Sequence, residues 1–176
     1  MAGIYIHIPF CRKACHYCNF HFSTTLKHQS DLVKAITKEI SLKQDYLANE
    51  EIETIYFGGG TPSILQIAEI ESILKSIQTH FKIKPNSEIT LEANPDDLDR
   101  AYLQDLKSLG VNRLSIGIQS FFEQELEFMN RSHNADQAHQ CIENESKYFD
   151  ELSIDCLLYT SPSPRDLSTS RMPSSA

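Results

Sequence analysis

The sequence predicts an α/β protein whose parallel strands alternate with helices and curl into a partial, open barrel. Three observations carry this. Short runs of alternating apolar residues are separated by segments with apolar residues at helical spacing, from residue 4 to residue 155. Strand–helix alternation at this spacing calls for parallel pairing and right-handed crossovers. The strands are apolar on one face only, whereas strands held between two helix layers are apolar on both.

The elements follow in order. Residues 4–8 alternate as a first strand, and Leu32, Ile36 and Ile40 mark the first helix. Residues 52–57 form a second strand that runs into Gly58-Gly59-Gly60-Thr61-Pro62. Ile67, Ile70, Leu74, Ile77 and Phe81 make the second helical stripe, and residues 88–92 the third strand. A third helix carries Leu98, Tyr102, Leu106 and Leu109, opened by Asp96 or Asp97 and closed by Gly110. Residues 113–119 are a fourth strand, residues 123–147 a helical region with a break, and residues 151–155 a fifth strand.

Sorting the strands by face puts Ile4, Ile6 and Ile8 opposite Tyr5 and His7. Ile89 and Leu91 oppose Glu88, Thr90 and Glu92, and Leu114, Ile116 and Ile118 oppose Arg113, Ser115, Gly117 and Gln119. Leu152 and Ile154 oppose Ser153 and Asp155. With helices outside, the polar faces line a lumen, and a polar lumen costs desolvation unless a polar group occupies it. Glu92, Gln119 and Asp155 stand last in their strands, the end where parallel barrels carry their sites.

Composition narrows the class. The 176 residues carry 16 basic and 24 acidic side chains, for a net charge of −8. With 40% apolar and 23% charged residues, the chain has the balance of one globular domain. An acidic chain without a basic block is a poor nucleic-acid binder. No apolar run approaches the roughly 18 residues of a membrane span. The start, MAGIYIHIPF, lacks the basic region of a secretion signal, so a cytoplasmic location is expected. From Thr160 onward six serines and three prolines fall within 17 residues. The domain is therefore expected to span 1–155, truncated after the fifth strand. Residues 156–176 are expected to be a non-native or disordered tail, which leaves the chain poorly stable with open edges at its first and fifth strands.

Cys11, Cys15 and Cys18 form C-x3-C-x2-C directly after the first strand. A loop with that spacing can wrap three thiolates around one centre, and thiolates select zinc or iron–sulfur clusters. Two readings stay open on the residues alone: a structural zinc site completed by His7, His16 or His21, or a cluster with one iron left open for chemistry. The glycine run at 58–60 permits close backbone approach to a ligand and lacks the Lys-Ser or Lys-Thr of a phosphate loop. Cys141 reads as a small buried helix residue, and His133 and His139 as surface helix residues.

The triplet with Tyr17 before its last cysteine resembles the signature of the radical S-adenosylmethionine superfamily. Five further segments resemble its anaerobic coproporphyrinogen III oxidase-like branch: residues 5–11, 57–62, Glu92-Ala-Asn-Pro95, residues 112–119 and Ser153-Ile-Asp155. The resemblance covers residues 4–155 and implies a six-unit (β/α)6 TIM-like core. It implies a [4Fe–4S] cluster on Cys11, Cys15 and Cys18, whose open iron binds S-adenosylmethionine and whose reduction allows cleavage to a 5′-deoxyadenosyl radical. It implies contacts to S-adenosylmethionine from Tyr5, Tyr17, Gly59, Gly60, Thr61, Glu92, Gln119 and Asp155. Arg131 is implied as a partner of the ligand carboxylate, which a guanidinium suits.

Within the branch the sequence is most similar to the HemW type of heme chaperone. The decarboxylating oxidases usually carry a fourth cysteine two residues after the third, and an N-terminal extension. Here that position is Phe20, and ten residues precede Cys11. The resemblance thus implies heme or porphyrin as cargo, bound in the full-length protein, together with an acceptor protein and an electron donor for the cluster. The oxidase is the alternative within the branch.

Overall fold

The computed structural model describes residues 2–47, 50–149 and 151–157. Among the described residues, five parallel strands stand in sequence order: β1 (Ala2–Ile8), β2 (Ile52–Gly59), β3 (Ile83–Ala93), β4 (Arg113–Gln119) and β5 (Glu151–Cys156). The intervening helices are α1 (Gln29–Leu42), α2 (Ile67–His80), α3 (Arg100–Ser108), α4 (Glu123–Phe128) and α5 (Ala135–Glu145). An order of 1-2-3-4-5 has no reversal point, unlike a doubly wound sheet. It is the order of a parallel barrel, here an open arc of five strands.

The one-sided strand pattern is what the sheet uses. Ile6, Ile8, Ile55, Phe57, Leu91, Leu114 and Ile116 are buried on the helix side. They meet Ile70, Ile73, Leu74 and Ile77 of α2 and Leu103 and Leu106 of α3 in one core. Each such side chain contributes roughly 1.5–3 kcal/mol on burial. Tyr5 and His7 face the other way and are exposed. On β5, Ile154 is only partly covered.

Several boundaries differ from the expectation. β2 runs through Gly58 and Gly59, because both glycines keep strand pairing with His7 and Ile8. β3 is eleven residues long, its early part outside the alternating stretch. β5 extends to Cys156, which pairs with Gln119; residues 158–176, most of the expected tail, lie outside the described residues. The third helix is opened by Asp99, whose carboxylate accepts from the Tyr102 N–H at 2.8 Å. Asp96 and Asp97 belong to a preceding single turn of 3-10 helix. The expected break divides α4 from α5, and α5 starts on an Asn134–Gln137 capping box.

Cys141 is buried as expected, but it lies beside a carboxylate. Glu145, fully buried one turn on, accepts from the Cys141 thiol at 2.7 Å. Burial pushes the Glu145 carboxyl up to about 7, and its Oε2 has no partner among the described residues. A raised carboxyl pKa means the folded state holds the proton over the window from about 4.5 to about 7. Stability from this group is then complete below pH 4.5 and lost as pH rises through 7, by about 3 kcal/mol in all. Glu145→Gln is accordingly expected to match the parent chain near pH 4 and to exceed it above pH 7. Denaturant unfolding of both chains across that range checks this.

Candidate cofactor site

The C-terminal ends of the strands open onto one cavity of about 800 Å³. All twelve residues singled out in the sequence line it. The cysteines hang on the loop after β1, whose base is closed by Cys11 N–H to Ser23 O at 3.1 Å and Ser23 N–H to Pro9 O at 2.8 Å. All three are partly buried thiols. Thr61 Oγ1 donates to Cys11 Sγ at 3.5 Å, and Arg131 Nη1 to Cys15 Sγ at 3.5 Å. Burial raises the Cys11 thiol, Thr61 opposes this, and the nearby Cys18 and Cys15 add to it.

The glycine run forms the wall beside the cysteine loop. Gly59 has φ +116°, and a Cβ there would stand 2.7 Å from the His7 ring. At Gly60 a Cβ would lie 2.6 Å from the Phe10 carbonyl oxygen and 3.0 Å from Cys11 Sγ. Backbone therefore passes directly against the cysteine loop.

Glu92, at the end of β3, already has two donors: Tyr56 OH at 2.8 Å and the Gly59 N–H at 3.0 Å. The carboxylate is thus held by the fold itself, and Glu92 lines the cavity. The Tyr56 phenol is pushed up to about 12 by burial and by Glu92. Tyr5, 58% exposed, stacks on Tyr56 with ring centroids 5.9 Å apart. Gln119 ends β4 with φ +70°, a left-handed backbone that is uncommon outside glycine and concentrates at functional sites. Asp155 of β5 is exposed at the same rim.

Arg131 is the hub. Its Nη1 also donates to Tyr17 OH at 3.0 Å, and its Nη2 to Asn94 Oδ1 at 2.8 Å and to the Gly117 carbonyl. Burial drives the Tyr17 phenol to about 12 against the pull of Arg131. A Cβ on Gly117 would meet Arg131 Nη2 at 3.3 Å, so glycine makes room for the guanidinium.

Sequence reasoning left several positions out. Asn94 holds Arg131 and reaches Thr61 Oγ1 at 3.5 Å. Its place in Glu92-Ala-Asn-Pro95, two residues past Glu92, was the available signal. Asp97 receives Arg12 Nε at 2.7 Å and Ser63 Oγ at 2.7 Å, which anchors the start of the cysteine loop. His133 corrects an expectation: it lies in the loop before α5, 3% exposed, with its Nε2 donating to the Ile118 carbonyl at 3.0 Å. Burial and Arg131 lower it to about 4, so it is neutral near pH 7. His139 is exposed on α5 as expected and lies against the Phe121 ring.

The donor set suits an iron–sulfur cluster. Three thiols face one cavity, Gly60 is a cradle that a Cβ would fill against Cys11, and Arg131 keeps a buried Nε without a partner among the described residues. Among the described residues no three His, Cys, Asp or Glu side chains are grouped closely enough to hold one metal ion.

Fold and cavity together define a partial-barrel protein with a three-cysteine cofactor loop. Residues 5–163 match the Radical SAM superfamily, and the chain belongs to that family. The family implies a [4Fe–4S] cluster and S-adenosylmethionine. Among curated relatives, the chain is 38% identical over 152 residues to the heme chaperone HemW of Synechocystis sp., covering 81% of this chain and 36% of the relative. It is 36% identical over 139 residues to HemW of Escherichia coli K12, covering 77% and 36%. Among solved structures, the coproporphyrinogen III oxidase HemN of Escherichia coli superposes with a TM-score of 0.82 at 28% identity, covering 95% of this chain and 39% of that one. The chain thus spans well under half the length of these relatives. No helix among the described residues is long and apolar enough to cross a membrane.

Proposed function

We propose that this chain is the cofactor-binding core of a heme chaperone similar to HemW. The observation that carries the choice within the family is Phe20. It stands two residues after Cys18 at the cavity rim, 81% exposed, where the oxidases usually place a fourth cysteine.

In this reading Cys11, Cys15 and Cys18 hold the cluster, and residues 1–155 make up the core domain. Gly59, Gly60 and Thr61 form the backbone wall for S-adenosylmethionine. Glu92, fixed by Tyr56 and Gly59, offers its free lone pairs to a ligand ammonium or hydroxyl. Arg131, fixed by Asn94 and Gly117, offers cationic charge to a carboxylate. Gln119 and Asp155 supply hydrogen bonds for ribose hydroxyls, and Tyr5 and Tyr17 provide aromatic walls. When bound and reduced, the cluster would supply the electron for radical chemistry on S-adenosylmethionine. Heme or porphyrin is the proposed cargo, handed to an acceptor protein, with an electron donor serving the cluster.

The test uses the full-length gene product, loaded anaerobically and given a reductant and S-adenosylmethionine. Heme titration is expected to give a saturable Soret band, and coproporphyrinogen III is expected to remain unconverted. Many turnovers of decarboxylated product would overturn the chaperone reading in favour of the oxidase, to which the HemN superposition is the supporting observation.

A further inference from the structure

The cysteine loop is bonded to an element more than a hundred residues away. His16 N–H donates to the Met129 carbonyl at 3.1 Å, and His16 Nδ1 donates to the Phe128 carbonyl at 2.8 Å. Asn130 Nδ2 donates to the Ala14 carbonyl at 2.8 Å, and Lys13 Nζ to the Arg131 carbonyl at 3.2 Å. Within the loop, one backbone bond in the cysteine stretch closes on itself, Cys18 N–H to Cys15 O at 3.2 Å.

The partner element is the end of α4, and its geometry explains the fit. Asn130 has φ +56°, its N–H bonds to Glu127 O at 2.9 Å, and the Arg131 N–H bonds to Leu126 O at 2.9 Å. That is a Schellman stop with Asn130 in the left-handed position. It leaves the carbonyls of Phe128 and Met129 without helical partners, as every helix end does. His16 satisfies both. In return, the left-handed turn aims the Asn130 amide at Ala14, between Cys11 and Cys15. Each side completes the hydrogen bonding of the other.

We infer that the turn at the end of α4 is a clasp that preorganises the cysteine loop, with His16 and Asn130 as its positioning residues. The inference rests on the cluster reading for its consequence but not for its geometry. It also gives His16 the role of a hydrogen-bond donor to α4 rather than that of a fourth metal ligand.

Asn130→Gly tests it, because glycine keeps the left-handed turn while the amide is lost. His16→Ala removes the side-chain donor, and His16→Gln restores a side-chain N–H. Two readouts are taken on the 176-residue chain. In the metal-free protein, hydrogen exchange at residues 13–18 is expected to speed up several-fold in Asn130→Gly and His16→Ala, with the strands unchanged. In the reconstituted protein, cluster loss to an iron chelator is expected to quicken about 5- to 10-fold in both, the equivalent of one lost hydrogen bond. His16→Gln is expected to recover most of the loss. If the parent chain takes no cluster but the loop loosens, the cluster reading falls and the clasp stands. If exchange in the loop is unchanged in Asn130→Gly and His16→Ala, the clasp is overturned whatever the cluster does. A His16→Gln chain that loses the cluster as His16→Ala does, with its loop as protected as in the parent, would make His16 a ligand and overturn its assignment here.

Discussion

Replacing any one of Cys11, Cys15 or Cys18 with serine is expected to reduce bound iron and sulfide to background after anaerobic reconstitution. The three thiols lie on one loop and face one cavity, so none can substitute for another. Loss of an outer partner of a metal ligand commonly costs 10- to 100-fold in affinity, and loss of the ligand itself costs more. Cys141 is the internal control. It is buried on α5 with its thiol on Glu145 and its pKa raised by burial, so Cys141→Ser is expected to leave cluster content unchanged. Iron, sulfide and zinc analysis of the four variants checks this. Full cluster content in any of the three loop variants would show that the cavity is not built on this triplet.

Gly60→Ala is expected to be nearly as damaging to the site, through sterics alone. The new methyl would sit 2.6 Å from the Phe10 carbonyl oxygen, 3.0 Å from Cys11 Sγ and 3.0 Å from the Ile8 carbonyl oxygen. Two of these are backbone atoms and cannot rotate away, so either β2 or the cysteine loop must shift. Overpacking of this kind costs about 1–3 kcal/mol. The expected result is a lower unfolding midpoint together with a sharp fall in cluster yield. Gly110→Ala separates the two effects. Gly110 has φ +91° but open space around it, with Ile89 Cδ1 the nearest atom at 3.9 Å. That variant is expected to lose about 1–2 kcal/mol through backbone strain while keeping its cluster. A Gly60→Ala chain with parental cluster content would contradict the close approach of β2 and the loop.

The wall of the site was legible because its strand residues share the polar face of the sheet. Tyr5, Glu92, Gln119 and Asp155 follow from the two-residue alternation, and the glycine run and cysteine triplet announce themselves by spacing. What supports those residues was harder to read. Tyr56 holds Glu92 from the neighbouring strand, a contact across 36 residues with no local signature. His133 lies in a loop where no periodicity assigns a face, and burial is decided by the Ile118 carbonyl. Glu145 had a signal: with Ala138 and Cys141 it falls on one helical stripe, and all three are buried. A carboxylate on a buried stripe is rare enough that its charge masked its spacing. The link from His16 to Phe128 joins an irregular loop to the end of a helix 112 residues away, which only the tertiary structure reveals.

The measurement that tests the central claim most directly is electron paramagnetic resonance on the reconstituted, dithionite-reduced parent chain, with and without S-adenosylmethionine. The arrangement of Cys11, Cys15, Cys18, Gly60, Glu92 and Arg131 around one cavity calls for a reduced [4Fe–4S] signal that changes shape when S-adenosylmethionine is added. A chain that takes up stoichiometric zinc and no iron, or a cluster signal indifferent to S-adenosylmethionine, would contradict it.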